Sequence, residues 1–180
     1  MTFTSELIER ARRVKLLLFD VDGVLTDGRI VLDAEGRESK QYHIRDGTAL
    51  VWARQAGLLT GMLSARASAS TTERARQLGV SIVRQGADDK LRAYRELIAE
   101  HGLADGEVAY MGDDLLDLPV LRRVGLSAAP ADAVEWVART VHWVSTERGG
   151  AGAVRQFVEQ VLQAQERWDG LVARYMGSER

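Results

Sequence analysis

Short apolar runs alternate along this chain with longer helix-like segments. The runs are Val14 to Asp20, Leu58 to Leu63, Val80 to Val83, Val108 to Met111, Gly125 to Ala128 and Thr140 to Val144. A short apolar run bounded by turn residues reads as a buried strand. Between the runs, helices are predicted near Asp46 to Ala56, Ser68 to Leu78, Asp88 to His101, Leu115 to Arg123 and Ala131 to Ala138, with Asp46 and Ser68 as N-caps. Gly57, Gly79 and Gly102 each follow a helical stretch, where a left-handed C-cap costs glycine little. A last helix starts near Gly152 and runs through Gln165, which leaves 166–180 as a C-terminal tail carrying Trp168 and Tyr175, too polar to pack alone. Strands that alternate with helices imply βαβ units, hence an α/β fold with a Rossmann-like, mainly parallel sheet and helices on both faces.

The alternation fails between residues 28 and 44. Arg29-Ile30-Val31-Leu32-Asp33, then Ala34-Glu35-Gly36, then Arg37 to Ile44 reads as a β-hairpin inserted after the first strand, too short to be a folded cap domain. Two isolated strands are marginal in water, so the hairpin is expected to pack on a neighbouring copy.

Composition narrows the class. With 180 residues, 46 % hydrophobic and 28 % charged, the chain fits one globular domain spanning 1–180. A formal charge of −2 gives no basic excess for nucleic acid or a membrane surface, though small anionic substrates remain open through local arginines. The absence of cysteine excludes disulfides, thiol nucleophiles and thiolate zinc sites. His43, His101 and His142 show no ligand spacing and read as loop or surface residues. Arg12 and Arg13 precede an apolar run too short for a signal peptide, and no stretch approaches transmembrane length, so a cytoplasmic enzyme is expected.

Asp20 and Asp22 stand where the first apolar strand ends and a loop begins. In an open α/β sheet, ligands bind beyond the carboxyl ends of the strands. Two acids at i and i+2 suit a nucleophile and a proton donor: one carboxylate attacks a phosphoryl group, the other protonates the leaving alkoxide and then deprotonates water. Asp-x-Asp alone fits ordinary turn chemistry better than catalysis. A second cluster, Gly112-Asp113-Asp114 with Asp117, follows the strand Val108 to Met111 and repeats the topology, although N-capping would also explain it. If Asp113 joins the pair, carboxylates about 4 Å apart repel by about 4 kcal/mol at an effective dielectric near 20. A divalent cation is then needed, and hard oxygen ligands with room for phosphate favour magnesium. Ser64 ends a third strand, and Lys90 falls in the first turn of a predicted helix, where the macrodipole disfavours a cation. Serine as turn chemistry and lysine as a surface charge stay open; a phosphate ligand and a point charge beside Asp20 are the functional readings.

The order Asp-x-Asp, Ser, Lys, Gly-Asp-Asp resembles the haloacid dehalogenase superfamily of phosphotransferases over nearly the whole chain. The specific motifs are Phe19-Asp20-Val21-Asp22-Gly23-Val24-Leu25-Thr26-Asp27-Gly28 and Gly112-Asp113-Asp114-Leu115-Leu116-Asp117-Leu118-Pro119. The resemblance implies Asp20 as nucleophile, Asp22 as general acid and base, and Ser64 and Lys90 on the phosphate. It also implies a magnesium ion held by Asp20, the main-chain oxygen of Asp22, and Asp113. Within the superfamily the chain is similar to the capless 3-deoxy-D-manno-octulosonate 8-phosphate phosphatases of lipopolysaccharide biosynthesis. The hairpin, Ile44-Arg45-Asp46-Gly47, the segment Gln85-Gly86 to Lys90, and Arg148-Gly149-Gly150-Ala151-Gly152-Ala153-Val154-Arg155 carry this likeness. It implies a homotetramer whose hairpins or tails cover neighbouring sites, with Arg45, Asp46 and Gly47 lining the substrate pocket and Arg66 and Arg74 meeting the sugar acid.

Two stretches depart from the pattern. Leu63-Ser64-Ala65-Arg66 keeps the hydroxyl but has alanine in place of the usual glycine, and Thr48-Ala49-Leu50-Val51 lacks a basic residue often found there. The second keeps a nonulosonate 9-phosphate or another sugar phosphate open as substrate. The expected activity is magnesium-dependent hydrolysis of a phosphorylated 3-deoxy-ulosonic acid through an aspartyl-phosphate. The alternatives of another class are a phosphoaspartate receiver-like domain and a catalytically silent binding module.

Overall fold

The computed structural model describes residues 2–177. Leu16, Leu17, Leu18 and Phe19 are all fully buried and form β1 (Leu16–Phe19), the strand at the middle of the sheet. It is preceded by α1 (Ser5–Arg12), which the sequence reading did not include. The chain then makes the hairpin β2 (Val31–Leu32) and β3 (Glu38–Ser39), α2 (Ile44–Gln55), β4 (Leu59–Leu63), α3 (Ala69–Leu78), β5 (Ile82–Arg84) and α4 (Lys90–Glu100). The second half adds β6 (Val108–Met111), α5 (Leu118–Leu121), β7 (Leu126–Ala129), α6 (Glu135–Thr140), β8 (Trp143–Val144), α7 (Ala153–Ala164) and α8 (Trp168–Tyr175).

Six strands form a parallel sheet in the order β5-β4-β1-β6-β7-β8. Alternate side chains of a strand face opposite sides. Leu17 and Phe19 therefore pack with Leu50, Met62, Phe157 and Val158 on one face, while Leu16 and Leu18 pack with Tyr94, Leu97 and Val137 on the other. Both faces are covered, so the central strands need apolar residues at every position rather than at every second one. The α7 helix buries Val154, Phe157, Val158, Val161 and Leu162, the spacing of a single helical face, and packs against α2 and α1.

The expected α/β architecture is present, with local differences. The stretch read as one helix from Leu115 is a 3-10 turn, Leu115–Asp117, followed by the short α5 with Pro119 in its first turn. Part of the expected tail is helical: Trp168 packs edge-on against Trp52 at 5.6 Å, Trp52 Nε1 donates to Tyr175 Oη at 2.8 Å, and Leu171 is buried. Residues 178–180 of that tail lie outside the described residues. The hairpin forms with Val31 opposite Ser39 and Leu32 opposite Glu38, and Ile30, Val31 and Leu32 are exposed. Among the described residues no helix is long and apolar enough to cross a membrane.

Candidate active site

From β1 the chain runs out to β4 and β5 on one side, then crosses to β6 on the other. This reversal opens a crevice at the carboxyl ends of β4, β1 and β6, the position where open α/β sheets bind ligands. Asp20, Ser64 and Asp113 lie at or just beyond those ends and share a cavity of about 270 Å³ with Asp22, Gly28, Ala65, Arg66, Lys90, Asp114, Leu116 and Asp117.

Local backbone design makes the convergence possible. The Asp20 amide donates to Met111 O at 3.0 Å, extending the β1–β6 ladder into the site. The loop then turns tightly, with the amides of Val24, Leu25 and Thr26 all directed at Val21 O. Gly23, at φ +88°, brings this loop against Asp113; a methyl group there would collide with the Asp113 carboxylate. Ala65, by contrast, needs no glycine: Glu166 is the only non-glycine residue with positive φ among the described residues.

A buried cation joins the acids. Asp89 caps α4 by accepting from the Arg92 amide, which sets Lys90 at the first helical position. Lys90 Nζ lies 2.9 Å from Asp20 Oδ1 and 2.6 Å from Asp117 Oδ1, with its side chain 4 % exposed. Burial works against its charge, but Asp20 and Asp117 outweigh burial and raise its pKa. Asp117 is fully buried and also accepts from Tyr110 Oη at 2.5 Å and from the amides of Asp113 and Asp114 at 3.0 and 3.2 Å.

The remaining acids are crowded. Burial, then the Asp117 charge, pushes Asp20 up to about 7, with Lys90 partly offsetting the rise. Burial, then Asp20 and Asp117, pushes Asp113 up to about 8. Carboxylate oxygens of Asp20, Asp113 and Asp117 lie within 4.8 Å of one another, and Asp113 Oδ1 is buried without a hydrogen-bond partner. That donor set fits a hard divalent cation. Both Asp117 oxygens are already engaged by Lys90, Tyr110 and the two amides, which leaves Asp113, and Asp20 beside its Oδ1 contact with Lys90, as the carboxylates for a cation.

The Asp22 carboxyl group is engaged elsewhere. Its Oδ1 bonds Lys40 Nζ from the hairpin arm, and Arg66 Nε stands 3.9 Å from its Oδ2. Arg66 also bonds Glu38 of β3. The sequence reading missed Lys40 and Glu38; their i, i+2 spacing on an alternating strand was the available signal, but nothing local tied it to Asp22.

Four expected substrate residues lie away from this cavity. Asp46 is 1 % exposed and accepts from the amides of Gly152 and Arg155, so it caps α7 instead of lining the pocket. It is also not the cap of its own helix, a position held by His43. Gly47 faces the Arg74 guanidinium, which leans over Tyr42 at 5.9 Å. Arg45 is exposed and borders a separate cavity with His43, Glu147, Gly152 and Arg155. The first turn of α2 points its buried side at α3 and α7, which takes Asp46 and Gly47 out of the crevice within one chain.

No family model matches the chain. It is 39 % identical over 92 % of its length to the 3-deoxy-D-manno-octulosonate 8-phosphate phosphatase KdsC of Yersinia pestis, covering 89 % of that protein. The crystal structure of the Moraxella catarrhalis 3-deoxy-D-manno-octulosonate 8-phosphate phosphatase, in complex with magnesium ion, phosphate ion and KDO, is 36 % identical with a TM-score of 0.94, covering 96 % of this chain and 99 % of that one. A Legionella pneumophila hydrolase assigned to the HAD superfamily, subfamily III A, is 38 % identical with a TM-score of 0.91, covering 96 % of this chain and 94 % of that one.

Proposed function

Because the chain belongs to the 3-deoxy-D-manno-octulosonate 8-phosphate phosphatase family of the haloacid dehalogenase superfamily, we propose that it hydrolyses 3-deoxy-D-manno-octulosonate 8-phosphate to the free sugar acid and inorganic phosphate. The observation that carries this reading is the meeting of Asp20, Ser64 and Asp113 beyond three neighbouring strand ends with Lys90 between Asp20 and Asp117.

The Asp20 carboxylate attacks phosphorus, and the bond to the sugar oxygen breaks as Asp22 delivers a proton to it. Water then attacks the aspartyl-phosphate; Asp22 takes its proton, and phosphate leaves with Asp20 restored. Lys90 fixes the orientation of Asp20, and its charge, with the Ser64 hydroxyl, holds phosphate oxygens. Asp20, Asp113 and the main-chain oxygen of Asp22 would hold magnesium, whose positive charge would offset the charge of a bound phosphoryl group. Arg66, at the rim, suits the sugar-acid carboxylate through its planar guanidinium. The exposed hairpin supports assembly into a homotetramer, in which Arg45 and Arg74 gain a role only if a neighbouring copy brings them to a site.

A panel of sugar-acid phosphates assayed with magnesium and after its removal by chelation tests the reading. Turnover that requires magnesium and is fastest on the octulosonate ester is expected, and Asp20→Asn should abolish it with the fold intact. Normal activity in Asp20→Asn would refute the mechanism. Preference for a nonulosonate 9-phosphate would shift the substrate, a reading favoured by the Thr48-Ala49-Leu50-Val51 stretch. A long-lived phosphoenzyme without turnover would restore the receiver-like alternative.

A further inference from the structure

We infer that Lys40 is a positioning residue for the Asp22 carboxyl group, so that the hairpin arm is part of the reaction machinery. The inference rests on the reading of Asp22 as the acid and base of phosphate-ester hydrolysis.

Lys40 follows β3 on an arm whose apolar residues are exposed, yet its side chain is only 3 % exposed. A buried ammonium is costly unless paired. Its partners are Asp22 Oδ1, which it bonds directly, and Glu38 Oε1 at 3.5 Å. Glu38 passes the contact on by bonding Arg66, whose Nε stands 3.9 Å from Asp22 Oδ2. Two acids and two cations therefore balance across the mouth of the crevice.

The two oxygens of Asp22 are not equivalent. Oδ1 is held by Lys40, whereas Oδ2 is buried and makes no hydrogen bond. Buried polar atoms without a partner are rare in folded proteins and call for a ligand or a function. Asp22 lines the crevice, so Oδ2, which has no hydrogen bond and only the Arg66 guanidinium 3.9 Å away, is the oxygen left for the leaving group and then for water. A carboxyl group with no anchor turns about its side-chain bonds and presents either oxygen; anchored through Oδ1, it presents one. A general acid must sit within hydrogen-bond reach of the atom it protonates, and this orientation is what Lys40 supplies.

The consequence is a link between arm and chemistry. Two isolated strands are marginal in water, and Ile30, Val31 and Leu32 of the arm stay exposed among the described residues. Whatever seats the arm also seats Lys40 against Asp22.

The test compares wild type, Lys40→Met and Lys40→Arg in the full chain on two esters. One is the sugar-acid phosphate, whose alkoxide leaving group needs a proton; the other is p-nitrophenyl phosphate, whose leaving group does not. Lys40→Met is expected to lower kcat on the sugar ester about 10- to 100-fold with KM little changed. On p-nitrophenyl phosphate it should give a stoichiometric burst of p-nitrophenolate, because phosphoenzyme forms readily and is hydrolysed slowly. Lys40→Arg should recover most of the rate. If Lys40→Met does not fold, Lys40→Ala, which also removes the donor but lets water reach Asp22 and Glu38, carries the same comparison. A raised KM at unchanged kcat would make Lys40 a substrate ligand and overturn the inference, as would equal losses on both esters without a burst, or no loss at all. Wild type inactive on every ester would instead overturn the phosphatase reading itself.

Discussion

At the scale of single residues, Asp117 and Asp113 show how identical side chains acquire different duties. Asp117 is saturated by Lys90, Tyr110 and two amides, while Asp113 keeps a buried oxygen without a partner. Their sequence positions announced an acidic cluster, but only the neighbours brought by other strands assign the parts. His142 makes the same point away from the site. It is an exposed loop residue, as expected from the sequence, and its Nδ1 accepts from the Ser127 amide at 3.0 Å and pairs with the Ser127 hydroxyl at 2.7 Å. Burial, then the Arg10 charge, lowers its pKa below 6.5. Below pH 6.5 the unfolded chain therefore binds a proton that the native state resists, so stability should decline as pH falls from 6.5 through the lowered folded value. Urea melts at pH 7.5 and 5.5 check this: His142→Asn, which keeps an acceptor but does not titrate, should lose less stability than wild type over that interval.

At the scale of elements, the strands and most helices were legible because each carries its own apolar period. Val108–Met111 was read at its observed bounds, and β1, β4 and α3 within a few residues. α1 and α8 were missed because each spans only eight residues; buried residues such as Leu7 and Ala11 of α1 and Leu171 of α8 fasten them to the core. Asp46 is the instructive error. It is expected from the sequence to cap its own helix, but it sits inside the first turn of α2 and caps α7, more than a hundred residues away. Asp46→Ala should therefore cost about 1–3 kcal/mol by freeing two amides of α7. Thermal melting and steady-state kinetics separate the roles: a lowered melting temperature with KM unchanged is expected, whereas a raised KM at full stability would return Asp46 to the substrate.

At the scale of the whole molecule, the hairpin leaves Ile30, Val31 and Leu32 exposed among the described residues. Val31→Asp combined with Leu32→Asp should convert the expected tetramer to a smaller species in sedimentation velocity and lower kcat, because the arm would lose its cover. A double variant that sediments like wild type would remove the hairpin from the assembly. The sequence by itself determined the alternation of strands and helices, the hairpin, and the acids, hydroxyl and lysine that chemistry requires, since periodicity and residue type are local properties. The tertiary structure alone decided which of these meet: parallel strands bring residues 20, 64 and 113 to one edge of the sheet through crossovers whose length carries no record of the contact. It also decided that Lys40 reaches Asp22 and that Asp46 does not reach the crevice. Those pairings are settled by how buried charges find partners across the fold, a balance that exists only once the layers have packed.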